Sequence, residues 1–273
     1  LPTLKLNHLS RMTDSTGVFQ HAIFSVPNFS EGYCTDDNAR AFILTALLGE
    51  LGDDSESVRS VATTCAAFLQ HAFDVQTKRF HNHMSFDRRW LDTQGSEDSH
   101  GRALWALGIG VGRSPFRSFQ TMAAQLFALS LPALTDFTSP RAWAFGLIGI
   151  DEYLRRLSGD SLVSQTRETL IARLLELLQR NKKADWYWFE QELSYANAKL
   201  AHALILSGRA TGQPAVVDSG LATLRWLNEV QLSEQGHFRP NGSNRFYKRG
   251  GLRATFDQQP IEAAGMVSAC LAA

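Results

Sequence analysis

Two kinds of helical segment alternate along this chain, and the alternation leaves few folds open. Segments 58–73, 119–131, 162–178 and 215–230 are amphipathic, with charged or polar residues along one side. Between them lie segments 39–49, 103–111, 142–150, 198–207 and 261–272, rich in Ala, Gly and Leu with little charge beyond the first turn. A helix that is apolar all round must be covered on every side, whereas an amphipathic one lies between core and water. The first kind therefore reads as outer helices and the second as inner helices.

Each inner segment is preceded by residues suited to a helix start: Thr35-Asp36-Asp37-Asn38, Ser96-Glu97-Asp98-Ser99, Ser139-Pro140-Arg141, Ser194-Tyr195-Ala196-Asn197 and Asp257-Gln258-Gln259-Pro260. Side-chain oxygens accept the free N–H groups there, carboxylates favour the positive end of the helix dipole, and Pro suits the first turn. Steps of 61, 43, 55 and 63 residues between these starts fit a divergent repeat of helical hairpins with loops of variable length. Gly49, Gly52, Gly108, Gly110, Gly159 and Gly208 fall near the expected helix ends, where glycine supplies a left-handed cap. Hairpins set in a ring give an all-α toroid, expected as one domain over 1–273, with every inner-helix N-terminus on one rim. The long loops 77–95, 181–193 and 233–255 precede inner helices and gather over that rim, the first and last as short β-hairpin insertions, most clearly at 78–86. The funnel beneath them is the expected ligand site.

Composition narrows the ligand. Lys plus Arg and Asp plus Glu both number 27, and the basic residues are scattered, so the sequence offers no footprint for nucleic acid or anionic lipid. A neutral ligand fits better. No apolar run approaches the roughly 18 residues of a membrane span, and a cytoplasmic location is expected. Cys34, Cys65 and Cys270 are far apart, with neither disulfide nor zinc spacing, and His81, His83 and His100 lack a further ligand at metal spacing. With no GxGxxG, Walker, GxSxG or HExxH motif present, no metal and no cofactor are expected.

Three blocks, Glu31 to Arg40, Phe86-Asp87-Arg88-Arg89-Trp90 leading into Gly95 to Arg102, and Phe256 to Ala263, carry a family likeness together with Trp188-Phe189-Glu190 and Leu193 to Ala198. They resemble a bacterial family of six-hairpin glycosidase-like (α/α) toroids whose members are often labelled glycosyltransferases. The resemblance implies a toroid of (α/α)6 type, an oligosaccharide or glycan partner and a fused or neighbouring glycosyltransferase. The family pattern also runs beyond Ala273, so the last hairpin is expected to be missing from this chain.

Candidate chemistry centres on carboxylates. Glycosidic cleavage needs one carboxyl group to protonate the leaving oxygen and another to activate water or stabilise the cation. Asp37, Asp98 and Glu190 are the catalytic candidates, Asp98 as the acid shielded by the Trp90 loop and Asp37 as its ionised partner. The competing reading makes Asp37/Arg40 and Asp98/Arg102 local ion pairs of the i,i+3 and i,i+4 kinds. Asp36, Glu97, Arg102, Trp188, Tyr195, Asn197, Tyr247, Arg249, Asp257 and Gln258 are the substrate-binding candidates, since aromatic faces and fixed polar groups suit a polyol. Asp37, Asp98, Asn197 and Asp257 are expected to face one cavity, with Trp188 partly exposed at its mouth. Phe189, Trp105, Trp143 and Trp226 are read as core, and Glu262 as structural. The first functional reading is a glycoside hydrolase; a non-catalytic carbohydrate-binding domain and a sugar epimerase are the alternatives, two histidines facing each other in the funnel being the mark of the last.

Overall fold

In the computed structural model, which describes residues 4–273, a short helix α1 (Asn7–Arg11) precedes α2 (Thr35–Glu50), α3 (Glu56–Ala72), α4 (Glu97–Arg113), α5 (Arg117–Ser130), α6 (Pro140–Leu154), α7 (Ser161–Asn181), α8 (Ala198–Ala210), α9 (Pro214–Val230) and α10 (Pro260–Ala272). The even-numbered helices are the Ala/Gly-rich segments and α3, α5, α7 and α9 the amphipathic ones. Each inner helix packs against the next, α2 on α4, α4 on α6, α6 on α8 and α8 on α10, and α2, α4, α6 and α8 each also pack on the outer helix that follows. This is the (α/α)6-type toroid architecture, with the inner helices parallel to one another.

Small residues set the spacing of the inner wall. Gly108 and Gly110, expected near the end of the second inner helix, instead lie within α4, where Gly108 admits the backbone of α6 and Gly110 packs on Phe42 and Ala123. A Cβ on Gly108 would lie 2.1 Å from the Gly149 carbonyl oxygen, and one on Gly101 2.7 Å from that of Ala142. Gly52, just past α2, does adopt the left-handed conformation, with φ +91. Of the expected caps, Ser96 and Ser139 accept from the N–H groups of Ser99 and Ala142. Thr35 instead lies within α2 and donates to the His81 carbonyl at 2.6 Å, Ser194 stands four residues before α8, and Asp257 gives α10 no cap.

The loops are pinned by two-residue strand pairs. Strand β1 (Ala22–Ile23) pairs with β2 (Val26–Pro27), β3 (Tyr33–Cys34) with β6 (His83–Met84), β4 (Phe73–Asp74) with β5 (Arg79–Phe80), and β7 (Glu192–Leu193) with β8 (Tyr247–Lys248). Residues 78–86 therefore do not close on themselves as a hairpin. Their first half returns to the end of α3 and their second half crosses to the strand leading into α2. In the same way β8 of the last long loop pairs with the loop before α8. Long loops that are distant in sequence are thus tied together beside the inner-helix N-termini.

Candidate functional site

The five inner helices line an axial cavity of about 690 Å³, within the roughly 300–1,000 Å³ of small-molecule sites. Its wall is largely apolar and aromatic. Trp105 of α4 and Phe145 of α6 lie parallel, 5.9 Å between centroids with 3° between planes, while Ile43, Leu44 and Leu47 of α2 and Ala264 of α10 complete it. Polar groups enter at a few points: Arg40 of α2, Arg102 of α4, Tyr195 before α8, Lys199 in its first turn and Gln259 before α10.

Arg102 is buried because two partners hold it. Its Nε donates to Asp36 Oδ1 at 2.7 Å, and its guanidinium lies 4.3 Å from the centroid of Phe145. The i,i+4 pair with Asp98 of the competing reading does not form; a bond to the neighbouring inner helix takes its place. Asp98 accepts short hydrogen bonds from the hydroxyls of Ser139 and Tyr195, which tie α4 to α6 and to the loop before α8. Burial, followed by the charge of Asp98, raises the Tyr195 phenol well above its ordinary range.

The catalytic candidates are engaged elsewhere. Asp37 pairs with Arg40 at 2.6 Å, accepts from the Cys34 thiol, and borders a separate depression beside α1 rather than the axial cavity. Glu190 pairs with the buried Arg141 at 2.7 Å, and Arg141 Nε in turn donates to the Tyr195 carbonyl at 2.7 Å. Glu97 accepts the backbone N–H groups of Thr138 and Ser139 at 2.8 and 2.6 Å, holding the entry to α6.

Several other expectations need correction. Asn197 is fully buried and donates to Glu262 Oε2 at 2.8 Å, so it faces α10 and the interior. Asp257 is exposed on its loop, bonded to Ser243 and Gln259, so Asp37, Asp98, Asn197 and Asp257 do not share one cavity. Trp188 is 0% exposed, packed on Phe189 and stacked with Trp226 of α9, which itself packs against the core. Tyr247 packs edge-on against Trp186, while Arg249 and Gln258 stand in solvent. Phe189 and Trp143 are core and Glu262 is buried, as read from sequence, whereas Trp105 is half-buried on the cavity wall.

Sequence reasoning missed Lys199. Its side chain is 4% exposed, with Nζ 4.3 Å from the Trp105 ring centroid, and among the described residues it forms neither an ion pair nor a side-chain hydrogen bond. Burial, reinforced by the positive charge of Arg102, lowers its ammonium to about 7. One turn further along α8, burial lowers His202 to about 3, so its ring stays neutral. Neither His202 nor His100 lines the cavity; His100 bonds the Ser130 carbonyl at 3.0 Å within an aromatic cage of Phe80 and Phe137. His81 is bonded to Asp92, and among the described residues no three His, Cys, Asp or Glu side chains cluster as a metal site. No helix of the described residues is long and apolar enough to cross a membrane.

No family model and no curated protein matches this chain. Solved structures do resemble it in fold. A sugar epimerase from a ruminal bacterium superposes with TM-score 0.73 at 11% identity, over 97% of this chain and 78% of its own. Cellobiose 2-epimerase from Bacillus thermoamylovorans B4167 gives 0.70 at 11% identity over 97% and 82%, and cellobiose 2-epimerase from Spirochaeta thermophila DSM 6192 gives 0.58 at 11% over 97% and 92%. These likenesses fix the toroid.

Proposed function

We propose that this chain is a carbohydrate-active enzyme that binds a reducing sugar in the axial cavity and epimerises or isomerises it beside the carbonyl carbon. The observation that carries the reading is where the carboxylates and the cavity lie. Hydrolysis needs two free carboxyl groups flanking one bond, at roughly 5–5.5 Å or 6.5–9.5 Å. Asp37 and Glu190 are each committed to an arginine, Asp98 to two hydroxyls, and none of the three lines the cavity. The cavity instead supplies a flat aromatic wall against which the C–H face of a sugar packs, with Arg40, Arg102, Tyr195 and Gln259 placed to bond hydroxyl groups. Chemistry at a C–H bond beside a carbonyl calls for a group that draws electrons from the carbonyl carbon, and the buried Lys199 stands on this wall to do so. The resemblance in fold to sugar and cellobiose epimerases supports the same reading, though fold alone does not choose the reaction.

A proton-NMR screen of reducing mono- and disaccharides in D2O tests it. The expected result is loss of the C2 proton signal with growth of a second anomeric set. New reducing ends released from an oligosaccharide, with no exchange at C2, would return the chain to the hydrolase reading.

A further inference from the structure

The five inner helices contain a single lysine, and it ends on the cavity wall. Among the described residues no carboxylate answers the ammonium of Lys199, and the contact that favours its charge is the face of the Trp105 ring, 4.3 Å away. The charged and titratable groups around it are Arg102 from α4, itself satisfied by Asp36 of α2, Arg40 from α2, the phenol of Tyr195 before α8, which donates to Asp98, and the neutral His202 on its own helix, while Phe145 of α6 and Ile261 and Ala264 of α10 add apolar surface to the same cavity. A desolvated amine beside another cation is the setting that leaves lysine uncharged and nucleophilic.

We propose that Lys199 is a covalent site for the carbonyl carbon of an open-chain reducing sugar, which it holds as a Schiff base. The proposal rests on the reading of the cavity as a sugar site. The Nζ lone pair adds to C1, and the carbonyl π pair moves onto oxygen, which takes up a proton as nitrogen gives one up. The resulting carbinolamine takes a proton from solvent and expels its hydroxyl as water, leaving a C1–Nζ iminium. Amine, aldehyde and one proton thus become iminium and water, with no change of oxidation state. The iminium withdraws electrons from C2 and weakens the C2–H bond, the bond whose exchange the proposed reaction requires.

Reductive trapping tests this without relying on turnover. The purified protein is incubated at pH 7 with sodium cyanoborohydride and either glucose or glycolaldehyde, the smallest hydroxyaldehyde, and the six lysines are mapped by peptide mass spectrometry. An amine titrating near 7 has a neutral fraction on the order of 10³ larger at that pH than a lysine of pKa ~10.4, which leaves ample margin for a tenfold or greater excess of adduct at Lys199. The expected adduct saturates with aldehyde concentration, falls when sorbitol occupies the cavity, and is absent from Lys199→Met. Adducts spread evenly over the other five lysines, or Lys199 unmodified by both aldehydes, overturn the proposal. Trapping without C2 exchange would leave the covalent site standing and remove the epimerase reading; exchange that persists in Lys199→Met without trapping would do the reverse.

Discussion

Replacing Gly108 by Ala probes the contact on which both the wall and the site depend. Its added Cβ would lie 2.1 Å from the Gly149 carbonyl oxygen, far inside ordinary contact, and the obstacle is backbone, so no rotamer change relieves it. Helices α4 and α6 must separate or slide. Overpacking of this kind costs typically ~1–3 kcal/mol, and a backbone-on-backbone clash belongs at the upper end. Alanine's better helix propensity returns ~1 kcal/mol, for a net loss of about 2 kcal/mol. At ~2–4 °C per kcal/mol for a chain approaching this size, the melting temperature falls by roughly 4–8 °C. The same substitution at Gly159, where nothing lies within 4 Å, adds no clash and is expected to be neutral or stabilising by ~0.4–1 kcal/mol through the unfolded state. Because Trp105 and Phe145 ride on these two helices, the Gly108 variant also loosens the aromatic wall and weakens sugar binding. Paired thermal unfolding by circular dichroism reads both variants, and equal shifts for Gly108→Ala and Gly159→Ala would refute the close-packing argument.

Two further outcomes follow from burial. Trp188→Ala removes a fully buried ring and is expected to cost ~3–5 kcal/mol in chemical denaturation; a loss of sugar affinity with unchanged stability would restore Trp188 to the cavity mouth. Lys199 titrates near 7 when folded and near ~10.4 when unfolded, so between those values the unfolded chain holds more protons and wild-type stability rises with pH. Lys199→Met lacks that rise, so its excess in melting temperature over wild type is largest at pH 7 and shrinks towards pH 10; a constant difference across that range would show that Lys199 is not neutralised by burial.

Much of the fold was legible because the inner and outer helices differ in kind, and the amphipathic segments locate α3, α5, α7 and α9 to within a few residues. Strand partners were not, since two-residue strands leave no periodicity and the pairing of His83–Met84 with Tyr33–Cys34 spans two helices. The site was harder still. Acids at helix starts attract attention, but whether Asp36 reaches a catalytic pocket or an arginine on the next helix depends on helix spacing, which the glycines set and spacing in sequence does not state. Trp188 and Trp105 were exchanged in role because aromatic residues in a loop and in a helix are judged by element type, whereas exposure depends on what packs above them. Lys199 carried a signal that sequence alone offers, being the only lysine in the five inner helices.

The central claim is that chemistry belongs to the axial cavity and not to the carboxylates of the rim. The rate of solvent-deuterium incorporation at C2 of a reducing sugar, compared between Trp105→Ala and Asp37→Asn, tests it most directly. The account predicts at least a tenfold loss for Trp105→Ala, whose ring forms the cavity wall, and a much smaller loss for Asp37→Asn, whose carboxylate lies outside the cavity and touches it only through Arg40. Exchange abolished in Asp37→Asn and retained in Trp105→Ala would contradict it.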